Sequence, residues 1–518
     1  LKTRKMRLNI LVGGKAGQGI NAVSKIISHV LVKAGYFSFN CRDYGSLIRG
    51  GHNFNVISIS DKKVGSIEKE LDGIVALDDK TTDLHKKELK ENGFVIKAGD
   101  FPVLGINLNM AMAGALCKIL CLDKKFLIEE IEEHFPVKEA VKAGEIGYDK
   151  VEKRFNCSKI SNKIEILSGN EGISKGFVNS KGDLYFSYPM TPATDVLHIL
   201  GLSQDGKHRV FQPENEIAVV NMALGASYTG KKVMVGTSGG GFDLMTEALS
   251  FQGMSEIPLV VYLASRPGPG TGVPTYTSQA DLDVALRAGH GEFPRIVIAP
   301  GDPIECAEKI NEAFYLAEKF NTLSIILSDK HLAESEFSSD RKENKILKIN
   351  INRELPGQKI VRANGYEHDE KGHTIEDAEI VKKMAEKRLE KYEKIKKEVK
   401  RFEMVKIYGN KNGENLVVSW GSNKTIILDA LDSIDKSIET GKGNWKFLQV
   451  LYLKPLSDEI KNEIEKAKKV VIVENNLTGQ LGRLIREKTG IKIESRILKY
   501  DSRPFYCDEL KNELLKLK

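Results

Sequence analysis

Short apolar runs alternate with amphipathic stretches along most of this chain, and the alternation predicts an α/β protein. An apolar run at Arg7–Val12 precedes a glycine-rich turn and then Ile20–Leu31, where apolar residues recur at helical spacing. A second strand is predicted at Phe37–Cys41 and a further helix at Met110–Leu122. The order of strand, turn, helix and strand is typical of the opening of a parallel α/β domain, which we place at residues 5–156.

A second block is predicted at residues 170–336, after a polar stretch at Cys157–Gly172 that we interpret as a linker. Strands and helices alternate in this block, which predicts a doubly wound parallel sheet. Its glycine-rich loops follow strands, at the edge where open α/β sheets bind ligands. The predicted strands are Leu184–Ser187, Val233–Thr237, Leu259–Ala264, Ile296–Ala299 and Ser324–Leu327, and the main helices are Glu216–Tyr228, Phe242–Gly253 and Pro303–Phe320.

The remainder of the chain is predicted as a connecting region at residues 337–413 and a third, small α/β domain at 414–518. The connecting region begins with an irregular segment, residues 337–376, and continues as a charged helix at Asp377–Val405. The apolar stripe of this helix is formed by Leu389, Tyr392, Ile395, Val399 and Phe402. The strands predicted for the last domain are Leu416–Ser419, Phe447–Tyr452 and Lys469–Val473.

Composition narrows the class of protein. Among 518 residues, 41% are hydrophobic and 29% are charged, which is typical of globular domains. The net charge is +7, but the basic residues are mixed with acidic ones along the chain, so nucleic-acid binding is not expected. No uncharged apolar run reaches the length of a bilayer span, so no membrane segment is expected. The basic start is followed only by a short strand-like run, Leu8–Val12, and then by glycines, so we do not expect a signal peptide.

The six cysteines are sparse and have no CxxC spacing, which favours a reducing cytoplasm over a disulfide framework. Cys117 and Cys121 are expected to face a core, and no metal ligands are predicted on this chain. Because a ferredoxin-like cysteine quartet is missing, any iron–sulfur cluster is expected on another chain.

Two motifs in the first block leave alternatives open. Gly17–Ala22 has the GxGxxG/A form and suits either a dinucleotide pyrophosphate or a plain tight turn. The acidic residue expected to close the second strand is absent, and Asp43 is a poor substitute. Further on, Arg49 and Gly50 could converge on an anion, or belong to a surface loop with a solvated arginine.

Four motifs in the second block offer chemistry, at the ends of strands or at the start of a helix. In Tyr188–Ala193, Thr191 presents a hydroxyl, although an N-cap threonine before a proline fits as well. Glu216 lies at the start of a predicted helix. It could have a functional role, or it could be there only because an acidic side chain in the first turn complements the helix dipole. Gly239–Phe242 leaves the backbone bare for a flat ligand. A loop stiffened by three prolines displays Arg266, which suits carboxylate recognition.

Together these motifs resemble the 2-oxoacid:ferredoxin oxidoreductases. The order YPMTP, ENEIAVVNMALGAS, TSGGGFDLMTEAL, SRPGPGTGVPT and GHGEFPR is similar to the family's α chain. GGKAGQGI and YGSLIRGG resemble its γ domain, here fused ahead of the α chain, and VVIVENNLTGQLGRLIR and YDSRPF resemble its transketolase-C-terminal-like domain. This sequence departs from the family pattern at two positions: Met190 replaces the commoner Ile, and Gly270 replaces the commoner Ser. The resemblance implies a γ domain, a pyrimidine-binding domain for thiamine diphosphate and a transketolase C-terminal-like domain.

The resemblance also implies roles for residues. Glu216 would hydrogen-bond the pyrimidine of thiamine diphosphate and favour its imino form, so it should carry a proton for part of the cycle. Thr191 would bond a substrate oxygen, and Arg266 would neutralise the substrate carboxylate. Arg49 and Gly50 would belong to the coenzyme A region. The residues expected to bind the cofactor are Tyr188, Pro189, Gly239, Gly240, Gly241 and Phe242.

A partner chain is implied as well. The sequence contains no Gly-Asp-Gly diphosphate motif, since Gly182-Asp183 is followed by Leu184. A β subunit is therefore expected to supply Mg²⁺, the diphosphate site and a [4Fe–4S] cluster, in a dimer of heterodimers that reduces ferredoxin. The expected substrate is 2-oxoglutarate, with pyruvate or a broad range of 2-oxoacids as alternatives. More distant alternatives are an NAD-linked dehydrogenase, resting on Gly17–Ala22, and a regulatory or scaffold chain.

Overall fold

A computed structural model describes residues 7–46, 51–155, 160, 162–203, 206–351 and 353–517. Most of their strands lie in three sheets of seven, seven and five strands. The element pattern predicted from the sequence is confirmed as α/β, with the sheets covered by helices. Within the described residues, none of the helices is both long and apolar enough to cross a membrane.

The first sheet is mixed, which corrects the parallel sheet predicted for this block. Arg7–Lys15 pairs antiparallel with His52–Ser60 and parallel with Leu71–Ala76. Phe37–Asp43, the strand that follows the first helix, therefore does not pair with Arg7–Lys15. His52–Ser60 lies between the two strands and is antiparallel to both. In spatial order the strands are Leu89–Lys97, Leu71–Ala76, Arg7–Lys15, His52–Ser60, Phe37–Asp43, Glu336–Ser339 and Glu165–Ser168. The helices of this block are Ile20–Lys33, Asp79–His85, Leu108–Ile119, Lys124–His134 and Lys138–Lys150, with 3₁₀ turns at Lys86–Glu88, Ala98–Asp100 and Gly105–Asn107.

The second sheet is parallel as predicted, except for one antiparallel edge strand that comes from the last block. It has six parallel strands, one more than predicted, because Arg209–Phe211 also joins it. In spatial order the strands are Tyr452–Lys454, Arg295–Ile298, Leu323–Asp329, Leu259–Ser265, Val233–Thr237, Leu184–Phe186 and Arg209–Phe211. The helices along this part of the chain are Gly169–Asn179, Thr194–Leu202, Glu216–Tyr228, Gly239–Ser255, Leu282–Arg287, Pro303–Phe320 and Lys330–Glu334.

The third sheet is parallel except for its first strand. Its strands, in spatial order, are Val405–Gly409, Trp445–Val450, Asn415–Ser419, Lys469–Glu474 and Ser495–Leu498. The remaining helices are Ala378–Val399, Asn423–Asp435, Ser437–Thr440, Glu459–Lys466, Gln480–Thr489 and Cys507–Lys516.

Three predictions about the segments between blocks were wrong. The supposed linker contains a strand, Glu165–Ser168, and the start of the helix Gly169–Asn179. The first residues of the irregular segment, predicted at 337–376, belong to the strand Glu336–Ser339, which pairs with Glu165–Ser168. The connecting helix ends at Val399 rather than Val405, because Val405–Gly409 is recruited as a strand of the third sheet.

Two side chains that the sequence pattern predicts to face a core, Leu389 and Cys121, are less buried than expected. Leu389 is 62% exposed, whereas Ile395 and Val399 of the same stripe are fully buried. Cys117 lies in the core as predicted, but Cys121 is half-buried beyond the end of its helix. The described cysteines form no disulfide; they are Cys41, Cys117, Cys121, Cys306 and Cys507.

Candidate functional site

Three predicted motifs converge because their strands are neighbours. Leu184–Phe186, Val233–Thr237 and Leu259–Ser265 lie side by side and parallel in the second sheet. The Tyr188–Ala193 segment, the Gly239–Gly241 turn and the Arg266 loop each follow one of these strands. The carboxyl ends of parallel strands share one edge, so the three motifs meet at the ligand-binding edge of an open α/β sheet.

Arg266 and Thr191 are in direct contact. Arg266 Nη1 donates a hydrogen bond of 3.0 Å to the backbone oxygen of Thr191, not to its hydroxyl. Burial lowers the pKa of the Arg266 guanidinium, and the carboxylates of Asp281 and Glu216 partly oppose this. The site therefore places one cation close to two acids.

Glu216 is buried at the first turn of its helix, with 3% of its surface exposed. The helix begins there because the Asn215 side chain caps it, accepting a 2.9 Å hydrogen bond from the Ala218 N–H. Glu216 Oε1 has no hydrogen-bond partner among the described residues. A buried, unpaired carboxyl oxygen is costly, so its persistence indicates a binding role more strongly than the helix dipole alone does.

The glycines at 239–241 differ in what surrounds them. Gly240 is exposed, and a Cβ there would meet only Gly270 O, at 3.9 Å. Gly241 is buried, and a Cβ there would lie 2.2 Å from Thr237 Oγ1 and 2.6 Å from Glu216 Oε1. Gly240 thus leaves open space beside the turn, while Gly241 lets Glu216 approach the helix.

The other predicted cofactor-binding residues divide by burial. Tyr188 and Pro189 are exposed at the end of their strand. Phe242, by contrast, is fully buried in the apolar core, and its N–H donates to Ser238 O at 2.9 Å. Its side chain therefore packs in the core beneath the turn, and its expected role in binding the cofactor stays a prediction.

We expect Gly241→Ala to lower the melting temperature of the chain, since the new methyl group overlaps Thr237 and Glu216. Overpacking of this kind costs about 1–3 kcal/mol. Gly240→Ala is the matched control in the same helical turn, and it should leave the melting temperature unchanged or raise it. Equal thermal stabilities of the two variants would contradict the close packing of Glu216 on Gly241.

Asp281 belongs to the site although no sequence signal pointed to it. Its Oδ2 is buried without a hydrogen-bond partner in the described structure, and lies 2.6 Å from where a Cβ of Gly239 would stand. Burial raises the pKa of Asp281 to about 6; the Asp243 carboxylate adds to this, and Arg266 opposes it. Two residues before it in the chain, Gln279 is fully buried.

Gln279 anchors the loop that carries Arg266 and Asp281. Its side chain donates to Trp420 O at 3.0 Å and accepts from Asn423 Nδ2 at 2.8 Å. Its backbone N–H donates to Asn475 O at 2.7 Å, and Asn475 N–H donates back to its Oε1 at 3.0 Å. Asn475, which belongs to the VVIVENNLTGQLGRLIR motif of the last block, therefore helps to hold the loop of the site in place.

The pKa of Asp281 leads to a pH-dependent prediction. The folded state binds this proton near pH 6, whereas an ordinary aspartate releases it near 3.8. Stability should consequently fall as pH rises from about 4 to 6, and the loss is complete above that range. Asp281→Asn should raise the melting temperature at pH 7.5 clearly more than at pH 4; the same gain at both pH values would contradict the prediction.

The glycine-rich turn of the first block faces the same region. Gly17 and Gly19 adopt positive φ angles of 97° and 86°, which favour glycine. They line a cavity of about 510 Å³ that Thr191 and Pro192 close from the other side. Arg49 and Gly50, predicted for this region, lie outside the described residues.

The dinucleotide interpretation of the glycine-rich turn gains no support from Asp43. This residue accepts a 3.1 Å hydrogen bond from the Tyr276 hydroxyl and pairs with Arg503 at 3.2 Å. Arg503 in turn lies over the Tyr276 ring, 3.6 Å from its centroid. Asp43 therefore joins the three blocks of the chain and is not positioned as a ribose ligand.

Comparisons with known proteins agree with the motifs. Residues 175–404 match the family model described as pyruvate flavodoxin/ferredoxin oxidoreductase, thiamine diP-bdg, and residues 9–105 match pyruvate ferredoxin/flavodoxin oxidoreductase. A 2-oxoacid:ferredoxin oxidoreductase subunit alpha of Sulfolobus sp is 30% identical, over 99% of this chain and 97% of the relative. The 2-oxoglutarate synthase subunit KorA of Methanocaldococcus jannaschii is also 30% identical, over 62% of this chain and 90% of its own.

A solved structure shares the whole fold. The 2-oxoglutarate:ferredoxin oxidoreductase from Magnetococcus marinus, with 2-oxoglutarate, coenzyme A and succinyl-CoA bound, superposes with a TM-score of 0.89 and 25% identity. The match covers 99% of this chain and 100% of that one. Family, motif order and fold agree over almost the entire length, and this chain belongs to the family of 2-oxoacid:ferredoxin oxidoreductase α subunits.

Proposed function

We propose that this chain, with a partner subunit, oxidatively decarboxylates 2-oxoglutarate, transfers the acyl group to coenzyme A and passes two electrons to ferredoxin. The single observation that carries the proposal is the buried Oε1 of Glu216, which has no partner among the described residues and faces the Gly239–Gly241 turn. In this reaction one 2-oxoacid anion, one coenzyme A thiol and two oxidised ferredoxins give one acyl-CoA, one CO₂, one proton and two reduced ferredoxins.

The residues at the site fit the pyrimidine half of thiamine diphosphate. Glu216 Oε1 would hydrogen-bond a ring nitrogen, and the open space beside Gly240 leaves room for a flat ring. When bound, thiamine diphosphate supplies the electron sink for decarboxylation. The task of Glu216 would be to hold and return a proton at its carboxyl oxygen, and burial excludes water from that exchange.

Recognition of the substrate is assigned to Thr191 and Arg266. The hydrogen bond from Arg266 to the Thr191 backbone fixes both residues at one edge of the site. A guanidinium in a partly buried loop attracts a carboxylate more strongly than one in water. Arg266 would stabilise the carboxylate that leaves as CO₂, while the Thr191 hydroxyl donates to a substrate oxygen.

A partner chain is needed to complete the site. The sequence lacks the Gly-Asp-Gly diphosphate motif and a ferredoxin-like cysteine quartet, so we assign Mg²⁺ and the [4Fe–4S] cluster to a β subunit. The helices that open at the site expose large apolar side chains, as a surface covered by another chain would. Ile217, Met222 and Leu244 are 51%, 46% and 51% exposed. We propose a dimer of heterodimers.

Coenzyme A is assigned to the cavity between the glycine-rich turn and Thr191. Its walls belong to two blocks of the chain and include Thr191, so a thiol held there would lie near the proposed substrate position, where it could accept the acyl group. Arg49 and Gly50 follow a strand of the same block and are proposed to extend this site. The preference for 2-oxoglutarate rests on the names of the relatives and on the ligands bound in the Magnetococcus marinus enzyme.

The test is an anaerobic assay of the chain co-purified with its partner. Reduction of a viologen dye would be followed with thiamine diphosphate, Mg²⁺ and coenzyme A, comparing 2-oxoglutarate with pyruvate. Reduction that depends on coenzyme A and is faster with 2-oxoglutarate is the expected result. Faster reduction with pyruvate would overturn the substrate, and no reduction with any 2-oxoacid, from a complex with an intact cluster, would overturn the chemistry.

A further inference from the structure

Two helices of the first block bring three potential metal ligands together, and none of the three belongs to the site above. His29 lies on the helix Ile20–Lys33. Glu130 and His134 lie on the helix Lys124–His134, four residues apart and therefore on one face. These three residues are called the His–Glu–His cluster below.

The ligand atoms of the cluster have the spacing of a tetrahedral metal site. Glu130 Oε2 lies 3.2 Å from His29 Nδ1 and 3.4 Å from His134 Nε2, and the two ring nitrogens are 3.5 Å apart. Zinc bonds to imidazole nitrogen and carboxylate oxygen measure about 2.0–2.2 Å, so neighbouring ligands of a tetrahedron stand roughly 3.3–3.6 Å apart. The three distances between ligand atoms in the cluster are all close to this range.

Glu130 provides a second, independent indication of a cation. Its side chain is only 2% exposed, and its Oε2 forms no hydrogen bond of suitable geometry among the described residues, although it lies within ion-pair distance of both imidazoles. Its other oxygen, Oε1, is 2.7 Å from Lys33 Nζ. The lysine thus orients the carboxylate, as outer partners of metal ligands do, and leaves Oε2 directed at the two histidines.

We propose that the His–Glu–His cluster binds one Zn²⁺ ion, with a water molecule as the fourth ligand. Two imidazoles and one carboxylate suit zinc, whereas Mg²⁺ and Ca²⁺ prefer oxygen ligands alone. His29 and His134 are 27% and 20% exposed, so an ion can enter from solvent.

Bound zinc would stabilise the first block by cross-linking its helices. The helix Ile20–Lys33 begins at the cavity beside Thr191, where Gly19 and Ile20 are lining residues. A metal bond at His29 would fix the other half of this helix to Lys124–His134. Because an ion that binds only the folded state raises its stability, zinc should raise the melting temperature of the chain.

The experiment uses the complete 518-residue chain, stripped with EDTA and titrated with Zn²⁺ against a chromophoric chelator. We expect one zinc per chain and a rise in melting temperature that Mg²⁺ does not produce. His29→Gln and His134→Gln should each weaken binding by more than the roughly 10- to 100-fold typical of losing an outer partner. Glu129→Gln, at the neighbouring surface position, is the matched control and should bind as tightly as the parent chain.

Zinc binding that survives both histidine substitutions would place the ion elsewhere and overturn the proposal, as would the absence of bound zinc. If the histidine variants do not fold, X-ray absorption at the zinc edge of the unsubstituted chain decides the question. Two imidazole nitrogens and light oxygen ligands at about 2.0–2.2 Å are expected. A sulfur ligand, at roughly 2.3 Å, would assign the ion to cysteine and overturn the cluster.

Discussion

Replacing Glu216 with alanine should lower the turnover number about 10²-fold or more, the usual scale for losing an acid–base partner. The reason is structural, since Oε1 of this buried side chain is the unpaired group that faces the glycine turn. A shorter side chain cannot reach the pyrimidine nitrogen. The rate would be measured as dye reduction at saturating 2-oxoacid and coenzyme A.

A matched control for this substitution lies two residues away. Glu214 precedes the same helix but is exposed, so Glu214→Ala should leave turnover close to that of the parent enzyme. Glu216→Gln keeps the shape of the side chain and separates loss of the acid from loss of packing. Near-normal turnover of Glu216→Ala, in a complex that still retains its partner, would refute the assignment.

Replacing Arg266 with alanine should reduce kcat/KM for the 2-oxoacid about 10- to 100-fold. A hydrogen bond to a charged group contributes about 1.5–3 kcal/mol, and 1.4 kcal/mol corresponds to a factor of ten. The loss should be larger in kcat/KM than in kcat, because the guanidinium is proposed to attract the substrate carboxylate before the chemical step.

Two further variants separate charge from position at Arg266. Arg266→Lys keeps the cation but loses the planar fork, so kcat/KM should recover only in part. Arg287→Ala removes an exposed arginine that pairs with Glu487 and should not change the kinetics. Unchanged kinetics in Arg266→Ala would mean that this residue merely ties its loop to the backbone of Thr191.

Several elements followed from the sequence because their causes are local. The helices Glu216–Tyr228 and Pro303–Phe320 and the strand Val233–Thr237 have the predicted boundaries. Pro303–Phe320 begins where Asp302 caps it, accepting from the Glu305 N–H at 2.8 Å, with a proline at the first position. Capping and periodicity act within a few residues, so a single sequence contains all the information that they need.

The predictions that were wrong concern pairings between distant segments. Glu165–Ser168 has no strand-like pattern of its own, and it becomes a strand because Glu336–Ser339 supplies its hydrogen-bond partners. For the same reason Tyr452–Lys454 joins the second sheet. Neither partner can be identified from local spacing. The domain boundaries drawn from the sequence therefore stay a prediction.

For the site, motifs in the sequence were enough to predict the candidate chemical groups and that most of them follow strands. Glu216, Thr191, Arg266 and the glycine turn were identified from motifs. The tertiary structure was needed to see which groups meet, that Phe242 lies in the core and that Asp281 lies against Gly239. It also brought His29 to Glu130, about a hundred residues along the chain. The physical reason is that strand order and helix packing, which place loops side by side, depend on contacts across the whole chain.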